Sequence, residues 1–590
     1  MNRPVRIANF SGYLGDRFTA IDEAVAGDPV DVLVGDYLAE ITLAALAGRH
    51  RQNPKLGYVE YFLDQLRPNL RALAERGVKV VTNAGGFHPE GLAEAVRELA
   101  EAEGVRVTVA HIEGDNVISR LATYERDGHA LENLDTGRPL SSWGVEPLAA
   151  NAYLGGWGIA AALAEGADIV VCGRVTDASL TAGPAAWWHG WSRTDWDALA
   201  GAVAAGHIIE CGSQAVGGNF AGFTRIANML KPGFPIAEIA ADGSSVITKH
   251  ARDGGEVTVD TVTAQLVYEI QGPRYLNPDV TVHLDTVRLN QEGRDRVGLS
   301  AVTGSPPPPT TKVAVFGQLG YSIVNTVFVT APEVDAKIDL IRAQISQDLP
   351  GGVALDVTRI GSATTDPETQ WDATVALRVM ATAKDRAALV ELNLSGRLLS
   401  LYLQSIPGFY HDGGASMAGS PRPRIDYWPA LLPLSVVDHR VVLPGGKTIE
   451  VSAPEQTGIQ PQPVHPEPAE TGAVRRTRRA PLGAVAYARS GDKGGNSNVG
   501  VWTPDERAWP WLRDTLSTME LRRLLPEVKD LDIVRHEFPH LRAVHFVLRG
   551  LLGTGGSSNL RVDQVGKAVG EYLRAKHLPI PEELLTDVAD

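Results

Sequence analysis

Short apolar runs in the first 180 residues end repeatedly on the same chemistry, and this repetition constrains the fold more than any single motif. Residues 5–10 lead into Ser11-Gly12-Tyr13-Leu14-Gly15-Asp16, and residues 31–34 into Gly35-Asp36. Residues 78–82 lead into Asn83-Ala84-Gly85-Gly86-Phe87-His88, and residues 105–112 into Glu113-Gly114-Asp115-Asn116. Residues 168–172 lead into Gly173-Arg174-Val175-Thr176-Asp177. Between these runs, Leu38, Ile41, Ala45 and Leu46, and then Leu92, Val96 and Leu99, recur at helical spacing. Pro89 suits a first helical turn, where its missing N–H costs nothing. Unbroken Val/Ile runs separated by helices predict a parallel sheet covered on both faces. Ligands of such sheets bind beyond the carboxyl ends of the strands. Gly paired with Asp, Asn, His or Arg at each end therefore places one polar cluster at a shared edge.

The texture changes near residue 244. Residues 256–262 and 280–287 alternate in the manner of half-exposed antiparallel strands. Residues 306–309 read as a loop, and 333–349 and 386–405 as helices. Pro, Gln, Glu and Thr dominate 454–481, the composition of a linker. In the tail, strands are expected at 484–488, 499–502, 532–538 and 543–551, with a helix at 509–524 and another opening at 553–558. The expected fold is α/β: a mainly parallel-sheet part over 1–243 and a mixed α+β part over 244–453. The linker 454–481 then leads to a small ferredoxin-like α+β domain over 482–590.

With 55 basic against 70 acidic side chains the net charge is −15, which repels nucleic acid and anionic membranes. The basic cluster Arg475, Arg476, Arg478 and Arg479 falls in the linker. Two cysteines, Cys172 and Cys211, suit neither a disulfide scaffold nor a Cys-rich zinc site and fit a reducing compartment. No apolar run matches a signal core or a membrane span, so a cytoplasmic protein without a membrane partner is expected.

Several segments carry chemistry. The turn containing Ser11, Gly12 and Asp16 presents backbone N–H groups of the kind that hold an anion, but it is neither Gly-x-Gly-x-x-Gly nor a Walker sequence. Asn83, Gly85 and Gly86 join backbone freedom to His88 and Glu90, an imidazole and a carboxylate suited to proton transfer. Asp36 and Asn116 extend the polar edge. His111, Glu113 and Asp115 share a strand face by period two and are candidate ligands for a divalent metal, unless Gly114 turns the chain and scatters them. Arg174 suits a carboxylate or phosphate, and Asp177 either partners it or caps the next helix. Cys172 reads as a packed strand residue. Gly414-Ala415-Ser416-Met417-Ala418 approaches a nucleophile elbow but lacks its final glycine. Asp492, Lys493 and Asn496 lie among glycines and serines in residues 489–498, a loop expected to lie near the large domain's strand-end edge, in the same chain or a neighbouring subunit.

Together these segments, with Gly217-Gly218-Asn219, Tyr268-Glu269-Ile270-Gln271-Gly272-Pro273 and Tyr275-Leu276-Asn277-Pro278-Asp279, resemble the acyclic terpene utilisation family AtuA. Residues 489–500 resemble its ferredoxin-fold companion domain. The resemblance implies a role in bacterial breakdown of citronellol, geraniol and related branched acyl-CoA compounds, alongside biotin-dependent carboxylases and enoyl-CoA hydratases. The expected activity is lyase or hydratase chemistry on a branched acyl-CoA or carboxylic acid, with coenzyme A entering only as part of the substrate and no other cofactor. In that scheme His88 is acid or base, Asp115 or Asp177 its partner, and Arg174 the anion anchor. The alternatives are a non-catalytic partner of an acyl-CoA carboxylase or pathway assembly, a phosphate-binding transferase and a metal-dependent hydrolase. A homo-oligomer is the expected assembly.

Overall fold

The computed structural model describes residues 3–412, 419–468 and 476–585. The near-elbow at 414–418 and Arg475 lie outside them. Two compact units emerge, one of Met1–Phe316, Tyr427–Gly556 and Val565–Asp590, the other of Gly317–Asp426 and Ser557–Gln564.

The first unit is organised by an 11-stranded sheet. Its centre is parallel: β1 (Val5–Ser11), β2 (Val32–Gly35) and β3 (Lys79–Thr82) run side by side. Next come β4 (Val109–Glu113) and, after β5 (Pro147–Ala152) in another sheet, β6 (Ile169–Val171), which lies between β3 and β4. Beyond β1 the sheet turns antiparallel through β7 (Pro235–Ile239), β8 (Ser245–Lys249), Arg296–Ser300 and Arg288–Gly293. Beyond β4 it turns antiparallel through Arg440–Val442 and Thr448–Glu450. The sheet is thus mixed, its parallel part confined to the βα-connected strands. Helices Trp157–Ala164, Ser179–His189 and Trp196–Ile209 pack side by side, and each contacts the sheet. Small residues let them approach closely. A Cβ at Gly206 would lie 2.6 Å from the Ala178 carbonyl oxygen.

One expected strand is a helix. Residues 256–262 enter Val259–Leu266, because Thr258 and Thr261 form a reciprocal capping box: Thr261 N–H donates to Thr258 Oγ1 (3.2 Å), and Thr258 N–H to Thr261 Oγ1 (2.9 Å). Those two bonds satisfy backbone donors that a strand would have paired across a sheet. Of residues 280–287, only Thr281–His283 is a strand, followed by a 3₁₀ turn at Leu284–Thr286.

The C-terminal part of this unit contains a four-stranded antiparallel sheet ordered Tyr487–Lys493, Asn496–Trp502, Ala543–Leu548, Ile533–Phe538. The expected loop at 489–498 is therefore a hairpin, turning at Gly494, whose φ is +62°. The expected helix at 509–524 is two, Trp509–Thr515 and Thr518–Leu524, because Ser517 accepts from the Glu520 N–H and starts a new one. The last helix begins at Val569, not at 553–558. Thr477–Pro481 pairs with His577–Pro581, so the end of the expected linker is a strand of this small domain.

In the second unit, Ala354–Ile360, Thr374–Ala383, the 317–330 part of Thr310–Thr330, and Phe409–Tyr410 pair antiparallel. Ile338, Ile341 and Ile345 of helix Val334–Ile345 enter its core. The helix expected over 386–405 is two, Arg386–Leu392 and Leu394–Ser400, broken at Asn393 with φ +47°. No described helix is long and apolar enough to cross a membrane.

Candidate functional site

Parallel register sets the carboxyl ends of β1, β2, β3 and β6 side by side, and their polar residues bond to one another. Ser11 Oγ donates to the Asp36 carbonyl (2.8 Å) and Asn83 Nδ2 to Asp36 Oδ1 (2.6 Å). Leu38 N–H also donates to that oxygen (3.0 Å), and Tyr37 N–H to Asn83 Oδ1 (2.7 Å). Arg174, buried, donates to the Leu38 carbonyl (2.7 Å), pairs with Asp177 (2.9 Å) and lies 4.1 Å over the Tyr153 ring. Burial first, then the nearby Asp177 charge, hold the Asp36 carboxyl well above the usual carboxylate range, and Arg174 opposes this. Two further buried carboxylates fix the segments after β5 and β6. Asp115 accepts from the Arg174 N–H and from Asn151 Nδ2, both at 2.8 Å. Asp279 accepts from the Gly156 N–H (2.6 Å) and from Ser179 Oγ (3.3 Å).

Onto this edge the fold brings groups that the strand-end pattern does not reveal. His207 lies in the last turn of helix Trp196–Ile209 and Glu210 just beyond it. The imidazole Nδ1 sits 3.1 Å from Glu210 Oε1, and both residues are buried. Asn9 Nδ2 donates to the Ser11 and Glu210 carbonyls at 2.9 and 3.3 Å, tying the pair to the end of β1. Burial pushes His207 down to about 4 and, with Asp177 beside it, Glu210 well above its ordinary range. The Tyr275 ring lies 4.9 Å from that of His207. Glu210 Oε2 and Asn9 Oδ1 are buried with no hydrogen-bond partner among the described residues.

The small domain closes the cluster. The Lys493 charge acts on His207, Glu210 and Tyr275 alike. Lys567 bonds to the Tyr268 hydroxyl and to Glu269 Oε1 (3.1 Å). Asn498 accepts from the Glu269 N–H (3.2 Å), holding Glu269 at φ +52°, a left-handed backbone rare for a long side chain and frequent at functional sites.

A model of the acyclic terpene utilisation family protein AtuA matches residues 5–443, and one of the AtuA ferredoxin-like domain matches residues 480–579. This chain belongs to the AtuA family. No curated protein and no solved structure matches it. Membership associates the chain with acyclic terpene utilisation, and the fusion of the AtuA domain to the ferredoxin-like domain is the arrangement the sequence predicts.

Within this AtuA chain the sequence-predicted residues divide. Ser11, Asp36, Asn83, Asp115, Arg174 and Asp177 meet at the strand ends. Gly12 serves close approach: a Cβ there would lie 2.6 Å from the Cys211 carbonyl carbon. Asp16 holds that turn by accepting from the Gly12 N–H (2.9 Å). Gly85, whose Cβ would lie 2.5 Å from the Cys172 carbonyl oxygen, likewise serves packing, and Gly86 takes φ +55°. His88 is placed elsewhere, its ring 4.8 Å from that of His50 and 6.4 Å from that of Tyr58, and burial lowers its pKa. Neither Asp115 nor Asp177 is its partner, because Arg174 engages both. Glu90 and Asn116 are exposed.

The metal trio does not converge. His111 Nε2 sits 3.0 Å from Glu113 Oε1, while Gly114, at φ +108°, turns Asp115 toward Arg174 and Asn151. Among the described residues no group of three or more His, Cys, Asp or Glu is set to hold a metal ion. Asp492 is half-buried on the hairpin strand beside Lys493, and Asn496 turns to Asp135 (2.9 Å). Sequence reasoning did not place His207, Glu210, Tyr268, Glu269, Tyr275 or Lys567 at this edge. One signal was available: His207 and Glu210 stand at i, i+3 at the end of a helix whose residues 198–206 are all Ala, Gly, Leu or Val, where polar side chains need a reason.

Proposed function

We propose that this chain is an enzyme of branched-chain or isoprenoid acyl-CoA or carboxylic acid catabolism, working by general acid–base catalysis of the lyase or hydratase type. The observation that carries this reading is the buried His207–Glu210 pair at the strand-end edge. Perturbed titration in such a setting is how a protein fits one group to give a proton and another to take one at the same pH. Burial disfavours charge on both members, which favours the protonated form of Glu210 and the neutral form of His207.

In a hydration, His207 takes a proton from water as its oxygen bonds to the β-carbon of a conjugated thioester. The carbon–carbon π electrons move toward the carbonyl, and Glu210 delivers a proton to the α-carbon. Arg174 and Lys493 supply positive charge for the transient enolate oxygen. Run backwards, the same transfers eliminate water.

The test is turnover of branched enoyl-CoA and 3-hydroxyacyl-CoA esters by the full chain. Glu210→Gln and His207→Gln are each expected to lose roughly 10²–10⁴-fold, the usual contribution of a positioned acid or base. His88→Ala is expected to keep its rate. Turnover undiminished in both pair variants overturns the assignment.

A further inference from the structure

The second compact unit carries a sheet face that none of the chemistry above uses. Its elements run strand, helix, strand, strand, helical pair, strand: residues 317–330, Val334–Ile345, Ala354–Ile360, Thr374–Ala383, Arg386–Leu392 with Leu394–Ser400, and Phe409–Tyr410. The first and third of these strands are central in the sheet, which is the split βαβ arrangement. Both helical segments pack against one side, where Ile341 and Leu398 join Val327, Val329 and Leu377 in the core. Successive strand residues face opposite sides, so Phe328, Thr374 and Ala376 lie on the other face.

Register makes a depression there. Phe328 stands opposite both Tyr410 and Ala376, and Ala376 opposite Ile360. The Phe328 and Tyr410 rings stack at 5.2 Å with 23° between their planes and form one flat wall. Beside it the single methyl of Ala376 leaves the floor low. A pocket of about 560 Å³ opens at this point, within the usual range for small-molecule sites. Trp371, which also lines it, is 71% exposed, an unusually bare position for an indole. Its backbone is nevertheless held. Thr369 N–H donates to Asp372 Oδ2 (3.1 Å) and Asp372 N–H to Thr369 Oγ1 (3.2 Å), while the Trp371 carbonyl accepts from the Thr374 N–H (3.1 Å). The ring is thus presented to solvent on fixed backbone, the preorganisation that lowers the ordering cost of binding.

The rest of the lining is polar: Thr374, His411 and Asp412. The Thr374 hydroxyl is taken by Thr330 and Gln370. Asp412 has contacts of its own, but a carboxylate offers about four acceptor sites and keeps capacity for a further donor. The Tyr410 hydroxyl is buried with no hydrogen-bond partner among the described residues. A plain hydrocarbon would dehydrate these groups and return no hydrogen bond. A flat heterocycle returns both, its face to the aromatic wall and its N–H edge to the polar side. Thirteen acidic against ten basic side chains in 317–426 and 557–564 provide no basic track for a phosphate backbone. We infer that this pocket binds a neutral, flat nitrogen heterocycle of nucleoside size. Nothing in it depends on the proposed acid–base reaction.

Titration calorimetry of the full chain with adenosine, AMP and geraniol as separate probes tests this. Adenosine is expected to bind more tightly than about 1 mM. AMP weaker than adenosine assigns the site to the free nucleoside, and AMP equal to it assigns the site to the ring of a larger molecule whose phosphate stays outside; both support the inference. Trp371→Ala is expected to weaken adenosine roughly five- to a hundred-fold, the loss of one stacking partner, and Trp371→Phe, which keeps a ring, to retain most of the affinity. Ala376→Leu raises the floor and is expected to weaken binding at least as much. Trp371 is exposed, so its two variants decide the matter even if Ala376→Leu fails to fold. Adenosine binding no tighter than about 1 mM, whether or not geraniol binds, overturns the inference. So does AMP binding more than about tenfold tighter than adenosine, or adenosine affinity undiminished in Trp371→Ala.

Discussion

Gly12→Ala exposes the dependence of the proton-transfer pair on the turn after β1. A Cβ at Gly12 would lie 2.6 Å from the Cys211 carbonyl carbon, 2.8 Å from the Gly212 nitrogen and 3.0 Å from the Cys211 Cα. All three are main-chain atoms, so no side-chain rotamer relieves the clash. Ordinary contact begins near 3.4 Å, and the 210–212 backbone must retreat by about 0.8 Å. Glu210 and the end of the His207 helix move with it. Overpacking of this kind costs about 1–3 kcal/mol, and a displacement near 1 Å at reacting groups costs about 10²-fold in rate. Gly48→Ala is the control: it lies in helix Glu40–Gln52 with nothing within 4 Å of its Cβ. That change is expected to stabilise by roughly 0.5–1 kcal/mol through helix propensity. Urea unfolding followed by tryptophan fluorescence compares midpoints at constant slope, and turnover of the branched thioesters reads the site. A Gly12→Ala protein as stable and as active as Gly48→Ala would refute the close-approach reasoning and return the turn to an anion-cradle role.

Other expectations follow from the same geometry. His545 is fully buried, hydrogen-bonds through Nε2 to Asn498 and is pushed by burial, then by His536, down to about 3, against about 6.5 when unfolded. Its lowered pKa contributes stability that is fully present above about pH 6.5 and lost as pH falls toward 3. Melting temperature measured from pH 7 to 4 should therefore fall less steeply in His545→Gln than in the natural chain, and equal slopes would contradict this. Asp279→Ala, which leaves the Gly156 N–H without its acceptor, is expected to destabilise by about 1.5–3 kcal/mol in the same urea assay; a loss below about 0.5 kcal/mol would show that Asp279 does not secure the loop. Arg174→Met strands Asp177 beside Asp36, and a loss of about 3–5 kcal/mol is expected. Unchanged stability there would mean that the two carboxyls are independent of Arg174.

The strand-end residues were legible because their signal is local. An apolar run ending in Gly and Asp, such as residues 31–36, is a strand with a polar exit wherever the chain goes afterwards. Parallel pairing then needs only that successive βα units repeat, so Ser11, Asp36, Asn83 and Arg174 were expected at one edge and are found there. Period alone misled where a local cap competes with alternation, as at Thr258 and Thr261. Composition misled at residues 489–498, where glycine and serine density suggested a loop and cross-strand pairing made a hairpin. His88 lies beside His50 and Tyr58 for a different reason. Its strand exit is correct, but the chain turns it toward His50 and Tyr58, a choice made by packing that composition does not encode. The burial of His207 and Glu210 beside Asn9 and Tyr275, and the approach of Lys493 and Lys567 to that segment, join residues up to about 360 positions apart. Sequence by itself determined the family, the βα order and the polar edge, because these rest on contacts between near neighbours. His207 and Glu210 stand three positions apart, so their meeting is local; the tertiary structure alone decided their burial and their company of Asn9, Tyr275 and Lys493, because those contacts join distant parts of the chain.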